Sequence, residues 1–167
     1  MATPVEARRT ARLHLRRLVP DDLAAVVVID SDPRTNEHRP GGAPTPEKCS
    51  QTFREFVRTW EEHGIGYWAV EVDGQLIGVA GVEPSAFGGQ PCWNLYYRLA
   101  PVAWGRGFAT EAATEAVAVA ETLQPEWPVV ARTRPTNVLA ARVARSAGLR
   151  RRPHLDADGY IVFARGW

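Results

Sequence analysis

The sequence predicts a single mixed α/β domain, and three observations support that fold class. The chain has 167 residues, the usual size of one domain, and its hydrophobic fraction of 45% is sufficient to fill a core. Segments that alternate polar and apolar residues are interspersed with segments of helical periodicity. A glycine-spaced turn joins one strand to a long alanine-rich helix. Because no repeat, linker or low-complexity stretch interrupts this pattern, one domain is expected over residues 1–167.

The first third of the chain predicts a strand followed by two helices. Residues 12–18 alternate polar and apolar side chains, as a half-buried strand does. An aspartate can cap a short helix over 21–30. After a loop rich in proline and glycine, Thr45 is suited to the N-cap and Pro46 to the first position of a second helix, which Gly64 ends.

A hairpin and a further strand follow. Residues 67–72 and 76–82 are strand-like, and an Asp-Gly pair, a strong turn signal, joins them. A loop that contains Pro84 and Pro91 separates this hairpin from a fourth strand over 92–99.

The last third of the chain predicts two more helices between strands. The alanine-rich helix covers 107–122, a fifth strand covers 129–133, and a helix over 138–147 ends at a glycine. A final hairpin closes with a strand over 160–164. The predicted order is β-α-α-β-β-β-α-β-α-β-β.

Composition excludes several classes of function. The formal net charge is +1, the pI is about 7.9, and acidic and basic residues are mixed, whereas nucleic-acid binders usually carry a basic stripe. The longest apolar run, 23–29, is too short to span a membrane, and no signal peptide is evident. The two cysteines lack the spacing of metal ligands. We therefore expect a cytoplasmic protein with no metal, no nucleic-acid partner and no membrane partner.

The turn before the alanine-rich helix has the features of a phosphate site. Unpaired N–H groups at a helix N-terminus point outward, and the helix dipole adds positive charge there. Glycine lets the backbone approach an anion closely. The turn carries two glycines that flank an arginine: Trp104, Gly105, Arg106, Gly107, Phe108, Ala109 and Thr110.

Three interpretations of this turn compete. A nucleotide P-loop would end in Gly-Lys-Ser/Thr, which this turn lacks. A dinucleotide fingerprint needs a third glycine, where this chain has Thr110, and normally follows the first strand of its domain. An ordinary tight turn between strand and helix remains the third alternative.

A family resemblance favours phosphate binding. Residues 104–112 resemble motif A of the GNAT acetyltransferases, Gln/Arg-x-x-Gly-x-Gly/Ala, with Gly107 and Ala109 in its last two places and Trp104 departing from its first. The segment from Asn137 to residue 149 resembles motif B. The resemblance is strongest to the branch of ribosomal-protein N-terminal acetyltransferases related to RimJ and RimL.

The resemblance implies a fold and a set of contacts to acetyl-CoA as co-substrate. In that family the fourth and fifth strands of a mixed sheet splay apart, and pantetheine lies in the gap. Backbone groups of Tyr97 and Leu99 would bind pantetheine, and Asn137 would bond to it as well. The turn from Trp104 to Thr110 would hold the pyrophosphate, and Arg142 or Arg145 would meet the adenosine phosphate. The expected partners are acetyl-CoA and an amine acceptor, and a homodimer is left open.

Catalytic residues are harder to assign. The resemblance implies direct acetyl transfer to a primary amine, with the Leu99 N–H as donor to the developing oxyanion. The amine must lose a proton, yet Asn94 stands where relatives often carry Glu, and Ala140 replaces a Ser. Glu83 is the first candidate base and His38 the second. A non-catalytic acyl-CoA-binding module and a transferase of longer acyl groups remain alternatives.

Overall fold

A computed structural model describes residues 5–167 as eight strands in one sheet and four α-helices. The sheet order is β1-β2-β3-β4-β5-β6-β8-β7, with only β5 and β6 parallel. The strands are β1 Ala7–Arg9, β2 His14–Arg17, β3 Tyr67–Val72, β4 Gln75–Phe87, β5 Gln90–Leu99, β6 Val129–Thr133, β7 Arg150–Arg151 and β8 Ile161–Arg165. The helices are α1 Leu23–Asp30, α2 Pro46–His63, α3 Phe108–Leu123 and α4 Val138–Ser146. The predicted α/β class is confirmed, and no helix among the described residues is both long and apolar enough to cross a membrane.

The structure differs from the sequence prediction at β1 and in the hairpin of β4 and β5. The short strand β1 was missed, so the predicted fourth and fifth strands are β5 and β6. The loop expected around Pro84 is the far half of a long hairpin, because β4 runs to residue 87 and β5 begins at residue 90. Pro84 pairs with Trp93, and Pro91 with Ala86, at positions where the β4–β5 ladder needs no N–H, so neither proline breaks it.

The predicted splay of two neighbouring strands is confirmed. The parallel strands β5 and β6 pair only at Trp93 with Val129 and at Asn94 with Val130. Beyond these pairs β5 continues to Leu99 and β6 to residue 133 without pairing to each other. The sheet therefore opens into a gap at the carboxyl ends of the two strands.

Helices cover both faces of the sheet, and two consecutive residues of β5 show which helices share a face. The Tyr97 hydroxyl donates to the Ala140 carbonyl in α4, whereas the Arg98 guanidinium donates to Asn36 in the loop between α1 and α2. Consecutive side chains of a strand point to opposite faces. The α1–α2 loop and α4 therefore lie on opposite faces, and α3 packs beside α4 against β4 and β5.

Alanines allow α3 to lie close to the sheet. Four of the five alanines predicted on one side of this helix are fully buried, and Ala109 in its first turn is half-buried. Small side chains shorten the distance from the helix axis to the sheet, so the start of α3 stays beside the end of β5. The fully buried four are Ala112, Ala113, Ala116 and Ala120.

Candidate active site

The gap between β5 and β6 forms a cleft of about 380 Å³, within the size range of small-molecule sites. Residues 95–98 line it from β5 and residues 131–134 from the β6 side. The α1–α2 loop contributes residues 35–40 except residue 37, and the start of α4 contributes Asn137 and Ala140. The cleft thus joins both faces of the sheet at the place where the strands separate.

Backbone groups of Tyr97 and Leu99 face this cleft. The Ala100 N–H donates to the Ile77 carbonyl at 2.7 Å, which makes these two residues a hydrogen-bonded pair. Such pairs alternate with non-hydrogen-bonded ones along an antiparallel ladder, so Leu99 and Tyr97 direct their N–H and C=O groups away from β4. No described strand pairs with that side of β5 beyond Asn94. Apart from the Leu99 carbonyl, which accepts a bond from Trp104, these groups are therefore available to an extended ligand that lies in the gap like an added strand.

The turn after β5 is open and uncapped. Gly105 and Gly107 have φ values of +74° and +80°, which L side chains rarely adopt. A Cβ at Gly105 would meet nothing within 4 Å, so ligand atoms have room beside this backbone. Gly107 is the N-cap of α3, and no side chain caps that helix. The uncapped N–H groups and the open space fit a pyrophosphate such as that of CoA.

Arg12 braces this turn from the β1–β2 connection. Its guanidinium donates to the Arg106 carbonyl at 2.7 Å and to the Glu111 carboxylate at 2.8 Å, and it lies 4.5 Å from the centre of the Phe108 ring. Glu111 also accepts from the Thr10 hydroxyl. These bonds overcome the effect of burial and lower the pKa of Glu111. No local pattern predicts this contact, because Arg12 and Glu111 are 99 positions apart.

Trp104 closes the turn back onto β5. Its indole N–H donates to the Leu99 carbonyl at 2.9 Å, and the residue remains 43% exposed. The Leu99 carbonyl is therefore occupied by a side chain, whereas the Leu99 N–H still faces the gap. Trp104 replaces the polar residue that opens the family motif with another hydrogen-bond donor.

Tyr97 and Asn137 connect β5 to the start of α4. The Tyr97 hydroxyl donates to the Ala140 carbonyl at 2.6 Å, and the Asn137 Oδ1 atom accepts the Ala140 N–H at 3.1 Å as the helix cap. Burial raises the pKa of Tyr97, so its hydroxyl stays protonated at neutral pH. Asn137 lines the cleft and keeps its amide nitrogen for a ligand, because only its oxygen is used in the cap.

The other predicted CoA residues differ in their surroundings. Phe108 is buried, and the exposed Arg106 guanidinium lies 4.6 Å from the centre of its ring. Ala109 and Thr110 are half-buried in the first turn of α3. Arg142 is exposed on α4 and has no hydrogen bond or ion pair with any described residue. Asn137 lines the gap and Trp104 ties the turn to the end of β5, whereas no contact among the described residues links Arg142 to the gap.

Glu83 is not among the residues that line the cleft. Sequence analysis placed it just after a strand, but it is inside β4, paired with Asn94, where β5 and β6 are still joined. Its Oε2 atom is buried without a hydrogen-bond partner among the described residues, and burial raises its pKa. Asn94 donates to the neighbouring Tyr67 hydroxyl at 2.6 Å. The role of Glu83 as a base stays a prediction.

His38, the second candidate base, does line the cleft. It is half-buried in the α1–α2 loop, and its Nδ1 atom is 2.9 Å from the Thr136 hydroxyl beside α4. This bond would fix the orientation of the imidazole and leave Nε2 for exchange of a proton. Within residues 5–167, no group of three or more side chains suited to a metal ion occurs.

Sequence reasoning missed a cluster of arginines in the cleft. Strand alternation could have placed one of them opposite Tyr97, but the others come from a loop and from the end of β6. No local pattern brings these segments together. The four are Arg39, Arg98, Arg132 and Arg134.

Comparisons with known proteins agree with this geometry. A family model described as "Acetyltransferase (GNAT) domain" matches residues 12–150. An acetyltransferase from Agrobacterium tumefaciens superposes with a TM-score of 0.82 at 24% identity, covering 95% of this chain and 93% of that one. A GNAT-family acetyltransferase from Bacillus anthracis gives 0.70 at 19% identity and 95% of both chains. RimL, a ribosomal L7/L12 α-N-protein acetyltransferase in complex with coenzyme A, gives 0.68 at 14%, covering 93% and 94%.

Proposed function

Because the chain belongs to the GNAT acetyltransferase family, we propose that it acetylates a primary amine on a peptide N-terminus or a small molecule. Acetyl-CoA is the proposed co-substrate, and its thioester supplies the activated acetyl group. The observation that carries this proposal is the open edge of β5, which leads directly into an uncapped glycine turn at the start of α3. A ligand whose extended arm leads to a pyrophosphate, as the pantetheine arm of CoA does, matches both features.

The residues that would hold acetyl-CoA follow from this arrangement. Backbone groups of Tyr97 and Leu99 would pair with pantetheine, and the Asn137 amide would donate from the start of α4. The N–H groups from Gly105 to Thr110, with the Arg106 guanidinium, would bind the pyrophosphate. Arg142 or Arg145 is proposed for the adenosine phosphate, because both are exposed arginines on α4 without an ion pair among the described residues.

The Leu99 N–H is proposed to donate to the acyl oxygen as negative charge develops there. It faces the gap, and the carbonyl of the same peptide group, that of Arg98, belongs to the hydrogen-bonded pair of Arg98 with Val79, so this peptide plane is fixed before the reaction. Removal of one such donor typically costs a factor of about 10²–10³ in rate.

For removal of the amine proton we retain Glu83 as the first candidate and His38 as the second. Glu83 has a raised pKa and an unpartnered buried oxygen, which suit a base. His38 lines the cleft. Because a base must be unprotonated, kcat/KM should fall as the pH drops through the pKa of the group concerned.

This fall is the acidic limb of the pH profile, and its loss in one variant identifies the base. If Glu83 acts, Glu83→Gln lowers kcat roughly 100-fold and removes the limb, since a general base contributes about 10²–10⁴ in rate. His38→Gln then keeps the wild-type profile. The opposite pattern assigns His38, and two unchanged profiles exclude both residues.

Release of free thiol tests the function itself. The purified protein is mixed with acetyl-CoA and a panel of small amines and peptide N-termini. We expect thiol release that depends on the amine, together with a mass gain of one acetyl group on the acceptor. Tight CoA binding without amine-dependent release across the panel would favour the non-catalytic module, which Asn94 and Ala140 make a real alternative. Faster release from a longer acyl-CoA would reassign the donor.

A further inference from the structure

Resting on the proposed acetyl transfer, we propose that the acceptor amine carries a nearby carboxylate, which the arginines of the cleft bind. Four arginines line the cleft, and no aspartate or glutamate does so among the described residues. The whole chain has a formal net charge of only +1. The concentration of positive charge in this cleft is therefore local and not a result of overall composition.

Arg98 is the best-positioned member of the cluster. It is half-buried, and its guanidinium donates to the Asn36 Oδ1 atom at 3.0 Å. Asn36 is 3% exposed, and its amide nitrogen donates to the carbonyls of Asp30 at 2.7 Å and Asp32 at 2.9 Å. These bonds orient the Asn36 oxygen toward Arg98. The guanidinium is therefore held in place before any ligand arrives, which lowers the entropic cost of binding.

The four arginines of the cleft lack an ion-pair partner among the residues that the structure describes. Within the described part of the chain, no carboxylate lies within ion-pair distance of them, whereas Arg8, Arg12, Arg16 and Arg17 each have such a partner. Burial raises the pKa of Asp30, and Arg98 opposes this rise, but Asp30 is 7% exposed and absent from the lining of the cleft. A partly buried guanidinium without an anion favours an anionic ligand.

The position of Arg98 separates this site from the one for CoA phosphates. Arg98 contacts the α1–α2 loop, whereas the adjacent Tyr97 contacts α4, so the two side chains lie on opposite faces of the sheet. The glycine turn leads into α3, on the same face as α4. Tyr96, two residues before Arg98, shares its face of the strand, and Arg39 on the α1–α2 loop lines the same cleft. The charge of Arg98 and Arg39 therefore lies on the face of the sheet opposite the glycine turn, which is the face that we assign to the acceptor.

The other two arginines extend the positive surface from the β6 side. Arg134 lies 3.8 Å from the centre of the Tyr160 ring and donates to the Asp158 carbonyl, and Arg132 lies 5.6 Å from the same ring. These contacts restrain the two side chains without removing their charge. An acceptor in the cleft thus meets arginines from both splayed strands. Its carboxylate could pair with Arg98 while the nearby amine remains at the open edge of β5.

Matched acceptor pairs test this inference. Thiol release is measured with glycine against glycinamide and with β-alanine against its amide. The third pair is a peptide N-terminus, Ala-Glu-NH₂ against Ala-Gln-NH₂. The first two pairs test a free amino acid as the acceptor, and the third tests an acidic peptide. We expect kcat/KM to be roughly 10- to 100-fold higher for the carboxylate member of at least one pair, the size of one well-placed charge pair. The advantage should shrink as salt is added.

The Arg98→Gln variant shows whether this preference belongs to the cleft. It should raise KM for the preferred carboxylate acceptor roughly 10- to 100-fold, with little change for its amide and in CoA affinity. Arg54→Gln, at an exposed position of α2, is the matched control and should leave both unchanged. Equal use of acid and amide members by the wild type would overturn the inference and leave the acetyltransferase proposal standing.

Two further outcomes are decisive. A preference for O-phosphoethanolamine over every carboxylate would overturn the assignment of a carboxylate. If no probe releases thiol, the acetyltransferase proposal fails on this panel, and calorimetry on the CoA-loaded protein decides the inference separately. Tighter binding of the carboxylate member that Arg98→Gln abolishes supports it, and equal binding of both members contradicts it.

Discussion

Gly107 shows how one backbone conformation sets the geometry of the proposed phosphate site. Its φ of +80° immediately before α3 turns the chain so that the first N–H groups of the helix stay uncapped and exposed to a ligand. Gly105 has a similar conformation two residues earlier. An L side chain in this region costs about 1–2 kcal/mol. Sequence analysis attributed these glycines to close approach, and the structure adds that their φ angles require glycine.

Replacement of Gly107 tests this conformation. We expect Gly107→Ala to lower the free energy of unfolding by about 1–2 kcal/mol and to weaken CoA binding at least roughly tenfold, because the helix N–H groups would shift. Gly64→Ala is the matched control, since Gly64 has a φ of +66° at the end of α2, and a Cβ there would meet nothing within 4 Å. Calorimetry with CoA and thermal unfolding measure both effects. Equal CoA affinity in the two variants would refute the assignment of the phosphate turn.

At the scale of elements, the β1–β2 connection supports the turn that precedes α3. Arg12 bonds to the turn at Arg106 and to α3 at Glu111, and so links three segments. The folded protein lowers the pKa of Glu111, so this carboxylate stabilises the fold above its unfolded pKa. That contribution is lost as the pH falls through the lowered folded value. The brace is therefore intact at neutral pH and weakens only in acid.

The substitution Arg12→Ala tests whether the brace acts on the site. Arg12 is about half exposed, so we expect a loss of stability below about 1 kcal/mol. The Kd for CoA should rise roughly fivefold, equivalent to about 1 kcal/mol, because the turn becomes mobile. Arg8→Ala is the control, as Arg8 pairs with Glu115 one helical turn further along α3. The same rise in both variants would show a general effect on α3 and not a brace.

For the whole molecule, one packing contact couples the core to the site. The alanines of α3 are buried against the sheet, which sets the height of the helix above β4 and β5 and thereby the position of its N-terminus. Interiors are close-packed, so added volume on this face must displace the helix or its neighbours. The position of the turn thus depends on residues that cannot contact a ligand.

Overpacking this contact should change stability and CoA binding together. Ala116 is 0% exposed, so Ala116→Leu should destabilise the fold by about 1–3 kcal/mol and weaken CoA binding as α3 moves. Ala118 is exposed on the same helix, and Ala118→Leu adds the same side chain without the clash. Thermal unfolding and calorimetry report the two effects. Wild-type CoA affinity in a destabilised Ala116→Leu protein would show that the turn is positioned independently of the core.

The sequence by itself determined the α/β class, the four helices and the glycine turn, because each depends on local signals. Helical periodicity, the N-cap at Thr45 and the glycine spacing of the turn are each formed by residues that lie a few positions apart in the chain. The resemblance to a known family added the splay of two strands, which no local pattern shows. The ends of the strands were less predictable. Pro84 is tolerated in β4 because the ladder with β5 uses no N–H at that position, and this depends on how the two strands pair.

Only the tertiary structure decided which side chains surround the gap. The contact of Arg12 with Glu111 spans 99 positions, and that of Arg98 with Asn36 spans 62. Such pairs arise from the order of strands and from the face on which each loop lies, which no periodicity encodes. The same geometry placed Glu83 outside the cleft lining and brought four unpaired arginines into it. Local signals fix elements, whereas the chemistry of a site depends on how distant elements are packed together.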